Sequence, residues 1–285
     1  MPNVLDLRRR IRSVKNTQQI TRAMKMVAAA RMRRAEERVL NARPYSVQMR
    51  AFLADLAARS EEREHPLLAR RPVERVLLVL VAADRGLCGA FNTNLVRAAQ
   101  KYVNENRNVQ VRVVAAGRKA RDFLRKRGLK MEAEHPGIFL RPVEFSAASQ
   151  LASEIMEMYS SRSVDAVDII YNSFKSLMTS ELIVERRLPL EPIEPAKGET
   201  LVDYIYEEPP AVLFDHLLPR YVEAEVYRAL LESQAAELAA RMTAMDTATR
   251  NASDLLSALT LHLNRVRQAA ITKEIIEIVS GAAAL

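Results

Sequence analysis

Apolar residues at the start of the chain recur every three or four positions. Val4, Leu7, Ile11 and Val14 step by 3, 4 and 3, the seam of a coiled-coil helix. The polar run Asn16-Thr17-Gln18-Gln19 interrupts that seam. It resumes in shifted phase through Ile20, Met24 and Val27, then Ala35, Val39 and Ala42. Residues 3–58 hold one proline, Pro44, and no glycine, so the spacing predicts a helix over 1–58 that Pro44 kinks or restarts. The other end is more regular. Leu238, Met242, Met245, Thr249, Ala252, Leu256, Leu259, Leu263, Val266 and Ala270 alternate steps of 4 and 3 without a miss, and from Ile271 the phase slips. After Pro219 there is no further proline, and no glycine until Gly281, which predicts one long helix over 211–285.

A helix of about 60 residues is roughly 90 Å long. A compact chain of this length is only about 50 Å across. Such a helix extends beyond a globule, and its seam needs a partner. The opposite end of the chain supplies one. Residues 1–50 carry 13 Lys and Arg against 3 Asp and Glu, whereas residues 211–285 carry 7 against 9. The expectation is an antiparallel coiled coil formed by the two ends of one chain.

The middle has a different period. The continuous apolar run 75–84, RVLLVLVAAD, predicts a buried strand. Helical spacing follows at 92–106, a strand at 109–117, a helix at 118–128, a helix at 147–161, and strands at 164–174 and 180–190. Alternating strands and helices imply a central α/β domain over 75–206, Rossmann-like, with a mostly parallel sheet.

Composition narrows the chemistry. The chain of 285 residues has one cysteine, Cys88, so it holds no intrachain disulfide and no cysteine-based metal cluster. Its four histidines show no ligand spacing. No apolar run approaches the roughly 20 residues needed to span a bilayer. The loop DRGLCGAFNTN, 84–94, lies between a strand and a helix, where phosphate loops sit, but it fits neither GxGxxG nor GxxxxGK[ST]. Its plainer reading is a tight turn that packs helix on sheet, with Cys88 buried or half-buried. The arginines at 8, 9, 10, 12, 31, 33 and 34 could contact phosphates, but aromatic interleaving and any zinc or helix-turn-helix pattern are missing. The methionines 24, 26, 32, 242 and 245 read as gap-fillers of the coiled coil. The oddest stretch is NRVRQAAITKEIIEIVSGAAAL, 264–285, which stays apolar to its tip. An apolar sleeve supplied by other subunits would explain it.

Four blocks, RIRSVKNTQQITRAMKMVAAARMRRAEE (10–37), DRGLCGAFN (84–92), AARMTAMDTATRNA (239–252) and 264–285, resemble the gamma subunit of F-type ATP synthases. They run from one end of the chain to the other. The resemblance implies a central rotary stalk, with the coiled coil inside a ring of alternating alpha and beta subunits. It places the α/β domain, with the epsilon subunit, on the ring of membrane c subunits. The implied role is torque transmission that couples proton translocation to ATP synthesis or hydrolysis, without a catalytic site, cofactor or metal on this chain.

The same resemblance assigns contacts. Met24 would face a moving loop of a beta subunit, with Arg241 near it on the opposite helix. Arg267, Gln268, Thr272 and Glu277 would be upper positions that touch the ring. Tyr204 and Tyr206 would lie in the foot, near epsilon and the c-ring. Chloroplast-type members insert a cysteine pair in the region of 190–205, which here is short and has no cysteine, implying no disulfide switch. The implied form is bacterial, on the cytoplasmic side of the membrane and joined to it only through the complex, with no nucleic-acid partner. The competing reading is a nucleotide-binding α/β protein with coiled-coil arms.

Overall fold

The computed structural model describes residues 4–59, 65–177, 179–190 and 207–283. The contacts divide the chain into two compact units, one of residues 1–29 with 241–285, the other of residues 30–240.

Two helices contribute to both units. Helix α1 spans Val4–Arg59. Pro44 lies inside it and starts no new helix, contrary to one sequence expectation. A proline there removes the hydrogen bond to the carbonyl of residue 40. Leu40 is solvent-exposed, so water can satisfy that carbonyl.

Within the first unit, α1 pairs with the last helix of the chain, Pro210–Ala283, in antiparallel sense. The Thr249 hydroxyl lies 2.8 Å from that of Thr21. The Lys25 ammonium donates to Asp246 at 2.5 Å. The buried and half-buried positions of α1 in this unit are Val4, Leu7, Ile11, Val14, Gln18, Thr21, Met24, Lys25, Ala28 and Ala29, so the seam passes straight through the polar run. Ile20 and Val27, expected in a shifted seam, are exposed. Steps of 3 and 4 leave room for Gln18 and Thr21, and the Thr21 hydroxyl is satisfied by Thr249 and by the Gln18 carbonyl at 3.0 Å. The facing seam keeps the expected phase: Met245, Ala252 and Leu259 are buried, and Leu256, Leu263 and Val266 half-buried.

The second unit is built on a five-stranded sheet. Strand β1, Arg75–Val81, is followed by helix α2, Phe91–Glu105, strand β2, Gln110–Ala116, and helix α3, Arg118–Lys126. Then come strand β3, Met131–His135, helix α4, Phe145–Ser160, strand β4, Ala166–Phe174, strand β5, Ser180–Leu188, and helix α5, the Pro210–Ala283 helix already met. The sheet order is β3-β2-β1-β4-β5. Its first four strands are parallel and β5 runs antiparallel to β4. From Val76 to Val81 every side chain of β1 is buried, as the unbroken apolar run requires. Strand β3 had no counterpart in the sequence reading. Its residues alternate half-buried and exposed, and it lies at a sheet edge where Glu132 and Glu134 meet Arg112 and Arg125 at 3.8 and 3.0 Å.

Residues 221–239 of α5 are buried except for the half-buried Tyr227 and Arg228. They pack against α4 and β5. The Gln234 amide donates to the Arg141 carbonyl at 2.8 Å, and the Ser149 hydroxyl to Glu223 at 2.8 Å. Burying Glu225 and Glu232 demands cationic partners. Arg187 of β5 donates to Glu225 at 2.6 Å, and Arg228 bridges Glu225 and Glu232 at 2.7 and 3.2 Å. Burial alone would raise the Glu225 carboxyl, but hydrogen bonds and charge from Arg228 and Arg187 outweigh it and hold it below its ordinary range.

Another buried carboxylate of the unit is also fully engaged. Asp84, just past β1, accepts the backbone N–H groups of Arg118, Gly137 and Phe139 at 2.7–2.8 Å. Asp84→Ala orphans all three and should lower urea-denaturation stability of the full chain by about 3 kcal/mol. Because the Glu225 carboxyl is depressed on folding, its contribution is complete above the ordinary value of 4.5 and is lost as pH falls through the depressed one. Glu225→Gln should therefore cost about 2 kcal/mol at pH 7, with the gap to the parent closing in acid; a gap independent of pH would contradict this.

Candidate functional site

The candidate positions fall into two regions, the coiled-coil unit and the loops at the carboxyl ends of the parallel strands.

In the coiled-coil unit, the pair Thr21 with Thr249 sets the register. Continued along the helices, it puts Val4, the first described residue of α1, across from Val266. Beyond that point α5 has no described partner helix. Every residue from Arg267 to Ser280 is exposed, yet the helix continues to Ala283. Ile271, Ile275, Ile276, Ile278 and Val279 are 48–70% exposed. At about 100° per residue these five side chains occupy one arc of roughly 160°. Gln268 and Thr272 fall inside that arc, Arg267 falls at its edge, and Glu277 lies on the opposite side. The Thr272 hydroxyl donates to the Gln268 carbonyl at 2.9 Å, and Glu277 pairs with Lys273 at 3.4 Å. Both are local bonds of a single helix, and they leave the apolar arc uncovered.

Met24 sits half-buried in the α1 seam, next to the Lys25–Asp246 ion pair. Asp246 is held below the ordinary carboxyl range, first by the Lys25 hydrogen bond and further by Arg250. Arg241, also half-buried, is five residues from Asp246, about 7.5 Å along α5. Tyr204 and Tyr206 lie outside the described residues. Of the gap-filling methionines, Met32 and Met245 are buried and Met24 and Met242 half-buried, whereas Met26 is 60% exposed and fills nothing.

The loop after β1 is tied down by its own polar groups. Asn92 accepts the Ala83 N–H at 3.0 Å and donates to the Arg85 carbonyl at 3.2 Å. Cys88 is buried beneath it. Gly117 approaches so closely that a Cβ there would sit 1.9 Å from the Ala82 carbonyl oxygen, and its φ of 98° is open only to glycine at little cost. The Lys119 N–H is taken by the Ala83 carbonyl at 3.0 Å. Strand order reverses between β1 and β4, which is where a sheet of this kind offers a ligand crevice. Here the buried carboxylate of Asp84 stands beside it and takes the Arg118 N–H at the start of α3. A phosphate approaching that spot would meet a fixed negative charge.

The sequence reading missed the buried ionic groups of the second unit. Asp165 is held by Arg75 through paired contacts of 3.3 and 3.0 Å. Asp168 accepts from Arg186 at 2.8 and 3.0 Å and from the Tyr102 hydroxyl. Burial, then the hydrogen bond to Asp168, pushes the Tyr102 phenol well up. The available signal was charge inside apolar runs: two aspartates in VDAVDIIY and two arginines in VERRLPL.

Among the described residues no helix is long and apolar enough to cross a membrane. A family model described as ATP synthase matches residues 3–285. The ATP synthase gamma chain of Solibacter usitatus is 52% identical over 288 aligned residues, spanning all of this chain and 99% of the relative. That of Pelotomaculum thermopropionicum is 46% identical over 285 residues, the full length of both. A chain in the central stalk and c-ring structure of Tetrahymena thermophila mitochondrial ATP synthase is 26% identical, with a TM-score of 0.61 over 80% of this chain and 99% of that one. A chain in the OSCP/F1/c-ring structure of Euglena gracilis mitochondrial ATP synthase has the same fold, with a TM-score of 0.70 and 22% identity over 99% and 94% of the two chains. On the full-length match to the family model and to these relatives, this chain belongs to the ATP synthase gamma chain family.

Proposed function

We propose that this chain is the central stalk of an F-type ATP synthase, and that residues 267–280 of α5 form its tip inside the ring of alpha and beta subunits. The observation that carries this reading is the helix that extends past the described residues of its partner with an exposed arc of four isoleucines and a valine. Burying such a side chain contributes about 1.5–3 kcal/mol, enough in sum to seat the tip in an apolar sleeve. Gln268 and Thr272, inside the arc, would offer the few polar contacts that fix its rotational position, and Arg267 and Glu277 would meet the sleeve from the flanks. Farther along, Met24 and Arg241 would face the moving loops of beta subunits.

The mechanism rests on symmetry. A single pair of unlike helices in a ring with threefold repetition presents a different face to each beta subunit. Each catalytic site is thereby biased to a different nucleotide affinity, and rotation exchanges the biases. This chain contributes no bond-making step to that cycle. Residues 30–240 would couple to the epsilon subunit and the c-ring, with Tyr204 and Tyr206 in the foot. The chain would lie on the cytoplasmic side of the membrane and reach it only through the complex.

Co-expression with the alpha and beta subunits of the same source tests the reading. The intact chain should yield a complex of three alpha, three beta and one copy of itself with ATP hydrolysis, and deletion of 267–285 should weaken assembly or activity. In reconstituted vesicles Arg267→Leu and Gln268→Leu should reduce coupled activity about tenfold while the melting of the isolated chain stays unchanged. Normal coupling in both variants would remove the assignment of the tip.

A further inference from the structure

Positive charge in the second unit is gathered on one layer. Residues 97–130, from α2 through β2 and α3, hold 11 Lys and Arg against 2 Asp and Glu. Four of these cations meet carboxylates: Lys101 with Glu105, Arg112 with Glu132, Arg121 with Asp122 and Arg125 with Glu134, at 2.9–3.8 Å. The other seven are exposed and have no carboxylate partner among the described residues. Helices α2 and α3 both connect parallel strands, so they run side by side and end at the same end of the sheet. Four of the seven cations gather there. Arg107 lies just past α2, and Lys126, Arg127 and Lys130 lie at and beyond the end of α3. A helix C-terminus attracts cations, but the effect fades within the last turn and does not account for Lys130.

A pocket of about 170 Å³ opens between the same two helix ends. Leu78 and Val113 of the sheet lie on its inner side. Val103, Phe123 and Leu129 also line it and are only half-buried, so its apolar surface is open to a visitor. Arg127 stands beside them. Its guanidinium lies 5.6 Å from the centre of the Phe123 ring and donates to Gln100 at 3.2 Å. A cavity of about 150 Å³ takes a benzene ring, so this pocket has the size of one large apolar side chain. It is smaller than the roughly 300 Å³ at which small-molecule sites begin. The charge around it exceeds what one small anion would neutralise. An apolar anchor inside a polar, charged surround is the pattern of a protein-binding surface.

We propose that this α2–α3 face docks an acidic segment of a partner protein. One large apolar side chain of that segment fills the pocket, and its carboxylates meet Arg107, Lys126, Arg127 and Lys130. The surface lies wholly within the second unit, and the proposal does not depend on the rotary reading.

Fluorescence anisotropy with the full-length chain tests this. The probes are short labelled peptides of Glu and Asp with Leu or Ser at the centre, and the Leu peptide with every acid replaced by its amide. The acidic Leu peptide should bind at one saturable site, about tenfold tighter than the Ser peptide. Removing its charges should weaken it by a similar factor. Lys126→Gln combined with Lys130→Gln, both exposed, should weaken the acidic Leu peptide about tenfold without changing the melting temperature. Val103→Phe, which fills the pocket, should remove the preference for Leu over Ser. Octanoate serves as the small-molecule control. If it displaces the peptide at equal concentration, the pocket serves a free amphiphilic anion and the protein partner is ruled out. Equal binding of the Leu and Ser peptides, or binding that the lysine changes leave untouched, would put the peptide elsewhere and overturn the proposal. Absence of saturable binding would overturn it as well.

Discussion

Four carboxylates on one buried stretch of α5 constrain the second unit: Glu223, Glu225, Glu232 and Glu237 are each at most 7% exposed. A buried carboxylate without a counter-charge would neutralise itself or expel its helix. Arg220 and Arg228 of α5 itself supply part of the counter-charge, and other elements supply the rest. Arg187 belongs to β5, and Arg43, 3.9 Å from Glu232, belongs to α1. Helix, strand and helix are thus held in one arrangement, because sliding any of them would strand a charge. Apolar packing supplies the bulk of the stability, but it tolerates shifts that this ionic set does not.

The coiled-coil unit uses polar groups for a related purpose. A seam of alanine, valine and leucine alone slides easily by one heptad. Thr21 against Thr249 and Lys25 against Asp246 each have one correct register. The register is set just past the polar run that looked like a break in the seam, at Thr21 and Lys25. The same register leaves the last part of α5, with its exposed isoleucines, without a described partner helix.

Much of the architecture could be read from spacing. The heptads of α5 kept their phase through Val266, and every strand from the apolar runs at 75, 109, 164 and 180 formed close to where it was expected. The readings that failed share a cause. Ile20 and Val27 were placed in the seam because they are apolar, and Gln18 and Thr21 were left out because they are polar. Strand β3 was overlooked because MEAEH has too little apolar content to mark an edge strand. A new helix starting at Pro44 was one expectation, but α1 runs on through it, since its lost bond falls where solvent can replace it.

The sequence by itself determined the periods: 3 and 4 at the ends, short apolar strands between helices in the middle, and the apolar tip of α5. Period is a local property, written in neighbouring residues. It also carried the family, through blocks spread over the whole chain. Tertiary structure alone decided which charges are buried and with whom. Arg187 and Glu225 are 38 residues apart, and Lys25 and Asp246 are 221 apart. No local rule links such pairs, because what selects them is the cost of leaving a charge unpaired once the chain has closed around it.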